Sequence, residues 1–228
     1  MKEIISRNLI ELHGHIVDAC EKYDRDADDI TIVAITKSHP TAAINIAVAA
    51  GIHNIGESKI QEAEPKILEV GRIARFHLVG HLQTNKVKKA VQLFDVIQSI
   101  DSLKLAEEIN LRAGEAERVL ECYIEVNCSG ESQKQGVPPA ECLDLVKKVK
   151  SLAHIHLTGL MTIGSFVENK EQIRSDFKQC HNLYKQAREI VGAEFDTLSM
   201  GMTGDFELAI AEGSTMIRIG SALFGSRY

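Results

Sequence analysis

The stretch 30–40, ITIVAITKSHP, constrains the fold more tightly than any other part of the chain. Ile30, Ile32, Val33, Ala34 and Ile35 make a nearly continuous β-prone apolar run. A strand that is apolar on both faces must be covered on both, as in a parallel sheet packed between layers. Pro40 closes the run, and Lys37 stands at its end. Where water is scarce, desolvation favours the neutral amine over the ammonium, and a neutral lysine amine is a nucleophile for carbonyl carbons. The plainer alternative is a lysine that snorkels to the surface from a strand end. The remaining chain has to separate the two.

Ahead of this strand the spacing predicts a helix over 3–23, where Ile4, Ile5, Leu9, Leu12, Ile16 and Val17 recur at helical intervals before the acidic turn 24–29. After it come a helix over 41–50 stopped by Gly51, a strand over 53–56 and a helix over 57–70 stopped by Gly71. The alternation continues with strand 76–80, helix 84–93, strand 95–100, helix 103–113 and strand 120–128. Beyond the loop SGESQKQGV follow helix 139–152, strand 155–161, helix 170–191, strand 198–202, helix 206–212 and a last strand over 216–224. Strands that alternate with helices, with no hairpin signal between them, and that number eight give an α/β chain of the (β/α)8 TIM-barrel type. It is expected to be a single domain over 1–228. The extra first helix either covers the outside or stands in for the helix missing after the last strand. An open doubly wound sheet would carry G-x-G-x-x-G after its first strand, and Lys37-Ser38-His39 stands there instead. Two G-x-x-x-x-G spacings, Gly51 to Gly56 and Gly220 to Gly225, lack the following Lys-Ser or Lys-Thr of a Walker loop.

Composition removes several function classes. Twenty-six basic against 32 acidic residues leave a net charge of −6, which disfavours a general nucleic-acid or anionic-membrane binder. The clusters Lys86, Lys88, Lys89 and Lys147, Lys148, Lys150 fall within predicted helices and read as solvated faces. Five cysteines, Cys20, Cys122, Cys128, Cys142 and Cys180, contain no C-x-x-C pair. That set describes reduced, mostly buried thiols, without a disulfide framework or a zinc site. The charged, amphipathic N-terminus is neither a signal peptide nor a membrane span, so a cytoplasmic location is expected.

Barrel active sites form at the C-terminal ends of the strands. The polar residues there are Lys37, Glu57, Ser58, His81, Asp101, Asn127, Thr162, Ser199, Thr203, Arg218 and Ser221. The seventh and eighth ends, SMGMTGDF and RIGSALFG, are rich in glycine, and the loops after these strands are the recurrent phosphate site of the fold. Gly201, Gly204 and Gly220 permit close approach of backbone N–H groups to an anion. Because Asp205 and Glu207 would repel it, the favoured cradle is the Gly220 and Ser221 amides with the Ser199 hydroxyl. The alternative is that the glycines serve only tight turns. A carbonyl-seeking lysine beside a phosphate cradle leaves two ligand classes: the sugar phosphate of a class I aldolase, or pyridoxal 5′-phosphate (PLP) held as an internal aldimine. Arg218 and Gly220 alternate onto one face, so a permanent cation lies next to the phosphate end. An arginine donating to the pyridine nitrogen would make the ring a poor electron sink. His77 and His81 share a strand face without a third ligand to complete a metal site, and His81 reads as a polar neighbour of the ring. The loop 129–136 is expected to be mobile and to cover the barrel top. Met161, Met200 and Met202 fill the core or pack on the ring.

At this point AITKSHP, HNIGESKIQEA, FHLVGHLQTNKVK, IEVNCSGESQKQGV, HLTGLMTIG and LSMGMTGDFELAIAEGSTMIRIGSALFG together resemble the YggS/PROSC family of pyridoxal phosphate homeostasis proteins, over about 4–225. The resemblance implies a barrel like the N-terminal domain of alanine racemase (PLP fold type III). It also implies Lys37 as the aldimine lysine, Ser199, Gly220 and Ser221 at the phosphate, and Arg218 at the pyridine nitrogen. Asn127, His81 and Gly201 complete the expected cofactor site, with no catalytic or metal residue. Ser58 stands where the family usually has asparagine, so its contact is lost or filled by water. Racemase-like catalysis needs a second domain that supplies a tyrosine. None of Tyr23, Tyr123, Tyr184 and Tyr228 is an evident substitute, and Tyr123 reads as packing. The expected function is therefore intracellular PLP buffering and delivery to apo PLP-dependent enzymes, by a monomer, without strong catalysis. A weak racemase-like enzyme or an aldolase is the alternative.

Overall fold

A computed structural model describes residues 1–225; Tyr228, one of the four tyrosines, lies outside them. Eight parallel strands close a barrel in chain order: β1 (Thr31–Ile35), β2 (Asn54–Glu57), β3 (Arg75–Leu78), β4 (Val96–Ile100), β5 (Leu120–Glu125), β6 (Ile155–Met161), β7 (Thr197–Met202) and β8 (Met216–Ile219). The central residue of β1, Val33, pairs with Asn54 of β2 on one side and with Arg218 of β8 on the other, which closes the ring. Helices α2 (Thr41–Ala49), α3 (Ile60–Val70), α4 (Val87–Leu93), α5 (Leu103–Glu115), α6 (Pro139–Val149), α7 (Lys170–Val191) and α8 (Phe206–Ala211) follow the first seven strands. The α/β barrel read from the alternation is the fold observed.

Strand alternation divides the core. Outward residues such as Ala34, Ile55, Phe76, Ile97, Ile124, Leu160 and Ile219 join the buried faces of the helices in one continuous cluster. Inward residues Val33, Ile35, Val96, Tyr123, Met161 and Met216 form a smaller cluster that fills the barrel. Each helix contributes one stripe. In α7 it is Ile173, Phe177, Cys180, Tyr184 and Ala187, steps of four and three along the chain. Asn169 opens that helix, its Oδ1 accepting from the Glu171 and Gln172 N–H groups at 3.0 and 3.3 Å. All five cysteines are buried free thiols. Among the described residues no helix is long and apolar enough to cross a membrane.

One expectation needs correction, at the last strand, and one is met, at the first helix. The last strand stops at Ile219, and residues Ser221–Phe224 form a short helix, α9. Gly220, at φ −113° and ψ −84°, breaks the extended path. The apolar run beyond it then buries Leu223 at helical spacing from Ile219, a pattern too short for sequence periodicity to distinguish from a strand. The first helix, α1 (Lys2–Lys22), packs on α8, α9 and α2, with Asn8 Nδ2 donating to the Leu223 carbonyl at 3.0 Å. It fills the gap in the helical ring that four-residue α9 is too short to fill.

Candidate functional site at the barrel mouth

Lys37 leaves β1 in a tight turn and is half-buried. The residue before it, Thr36, faces outward under α3, where its Oγ1 donates to Glu57 Oε1 at 2.6 Å. Lys66 of α3 donates to the Thr36 carbonyl at 2.7 Å and to one oxygen each of Glu57 and Glu62 at 2.8 Å. The residue after it, Ser38, has a left-handed φ of 64° and donates its N–H to Glu62 Oε1. Burial raises the Glu57 carboxyl above its usual range, against the pull of Lys66 and Thr36, and Oε2 of that group finds no partner among the described residues. Burial also opposes ionisation of Glu62, but hydrogen bonds from Lys66 and Ser38 outweigh it and hold that carboxyl low.

With Ile35, His39, Gly220, Ser221 and Gly225, Lys37 lines a cavity of about 60 Å³ between the ends of β1 and β8. A Cβ at Gly220 would lie 3.7 Å from Ile35, an ordinary contact, so the bare backbone there is not required by the protein's own packing. Neither the Gly220 nor the Ser221 N–H is taken up by another described residue. A lysine and two open backbone donors lining one cavity form a set that fits a phosphorylated carbonyl compound.

Ser199 and Gly201 lie elsewhere. Ser199 is inside the barrel, one level below the mouth, donating to Gln98 Oε1 at 2.7 Å and accepting from Arg218 Nη1 at 2.8 Å. Gln98 Nε2 donates to His77 Nδ1 at 2.9 Å, and His77 Nε2 donates to Asn54 Oδ1 at 3.0 Å. Burial depresses the His77 imidazole to about 3, so it is neutral and holds this tautomer. Gly201 has φ +95°, and a Cβ there would come within 2.6 Å of the Ala209 Cβ, so the turn into α8 demands glycine. Arg218 is only 4% exposed; its remaining contacts are the Ser199 and Thr162 carbonyls at 2.8 Å each. Burial lowers its pKa, while Asp205 and Glu125 act in the opposite direction. Tyr123 is interior packing, its hydroxyl on Glu121 at 2.9 Å.

The opposite side of the mouth holds a second cavity of about 160 Å³, lined by Val79, His81, Glu125, Asn127, Lys134 and Phe166 among others. His81 lies on the rim, 3.4 Å from Asp101. Ser58 is half-buried at the end of β2 and enters neither cavity. Asn127 reaches back into the loop that follows it: its amide donates to the Glu131 and Lys134 carbonyls, and its oxygen accepts from Ser129 and Gly130. Gly136, at φ +111° and tight against the Asn127 amide, closes the loop. Lys134 ties it to the Gly164 carbonyl at 2.7 Å and lies 4.3 Å from the Phe166 ring, so the loop roofs this cavity. Sequence reasoning missed Glu125, which is 6% exposed and lifted to about 7 by burial, with Arg218 opposing and Asp101 reinforcing the shift. Its signal was present, because a residue two before Asn127 on a strand shares its face. Lys66 gave no such signal, being one charge among several on a helix.

The family described as alanine racemase, N-terminal domain, matches residues 16–228. The pyridoxal phosphate homeostasis protein of Pasteurella multocida is 36% identical over 227 residues, covering 98% of this chain and 97% of that one. A protein of unknown function from Bifidobacterium adolescentis, solved by crystallography, has the same fold with a TM-score of 0.93 at 36% identity, over 98% of this chain and 95% of that one. PipY of Synechococcus elongatus, solved with PLP bound, matches with a TM-score of 0.81 at 33% identity, over 97% of this chain and 100% of that one. This chain therefore belongs to the alanine racemase N-terminal domain family and to the pyridoxal phosphate homeostasis proteins.

Proposed function

We propose that this protein binds PLP at the C-terminal mouth of a single barrel domain and serves in its homeostasis, holding the cofactor and handing it on. The observation that carries the reading is the cavity that Lys37 lines together with Gly220 and Ser221, whose amides are open. Bound there, the cofactor supplies an aldehyde carbon with which a primary amine condenses, releasing water. Lys37 Nζ provides that amine, and the two amides hold the phosphate. Arg218, fixed by Ser199 and Thr162, would meet the pyridine nitrogen as a donor and so disfavour a proton there. His81, on the rim of the mouth, would border the ring. Ser199 acts through Arg218, Gly201 shapes the turn beneath, and Asn127 shapes the covering loop.

Holding and transfer are favoured over amino-acid chemistry by the placement of the tyrosines. Among the described residues Tyr123 lies inside the barrel, Tyr23 ends α1 and Tyr184 packs on Phe195, so none reaches the mouth as an acid. In this reading the protein works in the cytoplasm as a monomer and passes PLP to apo-enzymes that depend on it. The test is the visible absorption of purified protein with added PLP, beside Lys37→Ala, before and after borohydride. A band in the native protein alone, fixed by reduction to the peptide containing Lys37, is expected. An equal band in the variant, or none in either, would remove Lys37 from this role and return the aldolase reading.

A further inference from the structure

Two unfavourable local arrangements converge on the residues that flank Lys37. Ser38 adopts a left-handed backbone, which costs a residue with a Cβ and would cost glycine almost nothing. Beneath the turn, Lys66, Glu57 and Glu62 form a buried ionic cluster in which the Lys66 side chain is 9% and Glu57 0% exposed. Apolar side chains of similar volume would join α3 to the barrel without that desolvation. Helix packing alone therefore does not account for the cluster.

Its connections lie on either side of one residue. All three Lys66 protons have acceptors, and one is the Thr36 carbonyl immediately before Lys37. Glu57 takes the Thr36 hydroxyl, while the Thr36 N–H is fixed on the Gly56 carbonyl at 3.0 Å. Glu62 takes the Ser38 N–H immediately after Lys37. Glu62 and Lys66, one helical turn apart on α3, thus hold the backbone on both sides of Lys37.

We propose that Glu62 and Lys66 are positioning residues that fix the Lys37 turn, so that Nζ is presented to the ligand's carbonyl carbon. The proposal rests on the PLP reading of Lys37. Removing the brace lets Ser38 relax out of its left-handed conformation and swings Lys37 away from the Gly220 and Ser221 amides. Ser38→Gly removes the conformational penalty, so a glycine turn depends less on the brace.

The experiment measures, at a temperature where every protein is folded by circular dichroism, the rate at which PLP becomes borohydride-fixable to Lys37. It compares native protein with Glu62→Ala, Ser38→Gly and the double variant. Glu62 is part-exposed, so Glu62→Ala leaves no charge stranded in the core. Glu62→Ala is expected to slow attachment about tenfold or more, Ser38→Gly to stay within about threefold of native, and the double variant to recover most of the loss. Lys66→Met combined with Glu57→Gln, which removes both buried charges together, is expected to slow attachment as Glu62→Ala does. A role confined to stability would lower the melting temperature and leave Glu62→Ala and the double variant attaching PLP at the native rate, which overturns the proposal. Reductive methylation of Lys37 by formaldehyde, read by peptide mass spectrometry against the exposed lysines, separates the two layers of inference. If native protein takes up no PLP, the cofactor reading fails. The brace then stands or falls on whether Glu62→Ala changes the relative methylation of Lys37.

Discussion

Glu125 is the residue at which the mouth meets pH. Its carboxyl titrates at about 7 in the folded protein because burial disfavours the anion, and near 4.5 when exposed. The folded state therefore binds this proton more tightly than the unfolded chain. The stability gained is complete below about pH 4.5 and is lost as pH rises through about 7. Above that the buried carboxylate costs up to about 3 kcal/mol. Glu125→Gln is accordingly expected to melt several degrees above native at pH 8, at about 2–4 °C per kcal/mol, and close to native at pH 5. His77, shifted in the opposite direction, is common to both proteins and cancels. Equal melting at both pH values would show that the carboxyl titrates as an exposed one.

At the scale of single elements, buried stripes secure the helices, and in α5 and α7 a side-chain cap, Ser102 or Asn169, adds to them. Asn169 accepts two otherwise open N–H groups at the start of α7, the longest helix of the ring. Asn169→Ala should destabilise the protein by about 1 kcal/mol, a loss of about 2–4 °C in thermal melting. Glycine at the same position should cost only a few tenths; an equally large loss with glycine would assign the effect to the loop and not to the cap. Elements of this kind are legible because their signals repeat, as the α7 stripe does over 22 residues. The strand-to-helix change at Gly220 was not legible, because four apolar-rich residues fit either period.

Over the whole molecule, alternation along parallel strands carried the sequence reading from Lys37, His81 and Arg218 to one end of a barrel. It could not give depth along the barrel axis, so it did not show that Ser199 bonds inside the barrel to Gln98 and Arg218, that Asn127 also organises the loop after it, or that Gly201 is demanded by the turn into α8. Contacts between α3 and the Lys37 turn depend on how the helix lies over the sheet, which spacing does not encode. A ligand held only by the closed barrel stabilises all of it. With PLP at 100 times its dissociation constant the gain is about 2.7 kcal/mol, or roughly 5–10 °C in the melting of native protein, and Lys37→Ala should lose most of that shift. Thermal melts with and without PLP decide this, and no shift in native protein contradicts the cofactor reading. Across the interior, every hydrogen in the series Arg218, Ser199, Gln98, His77, Asn54 points the same way. Arg218 has donors only, so it fixes the sense of the whole series: no link can reverse without setting one donor against another. The interior beneath the mouth is thus poled like an electret, each dipole in the row set from its cationic end, and the orientation of Asn54 on one side of the barrel is dictated by Arg218 on another.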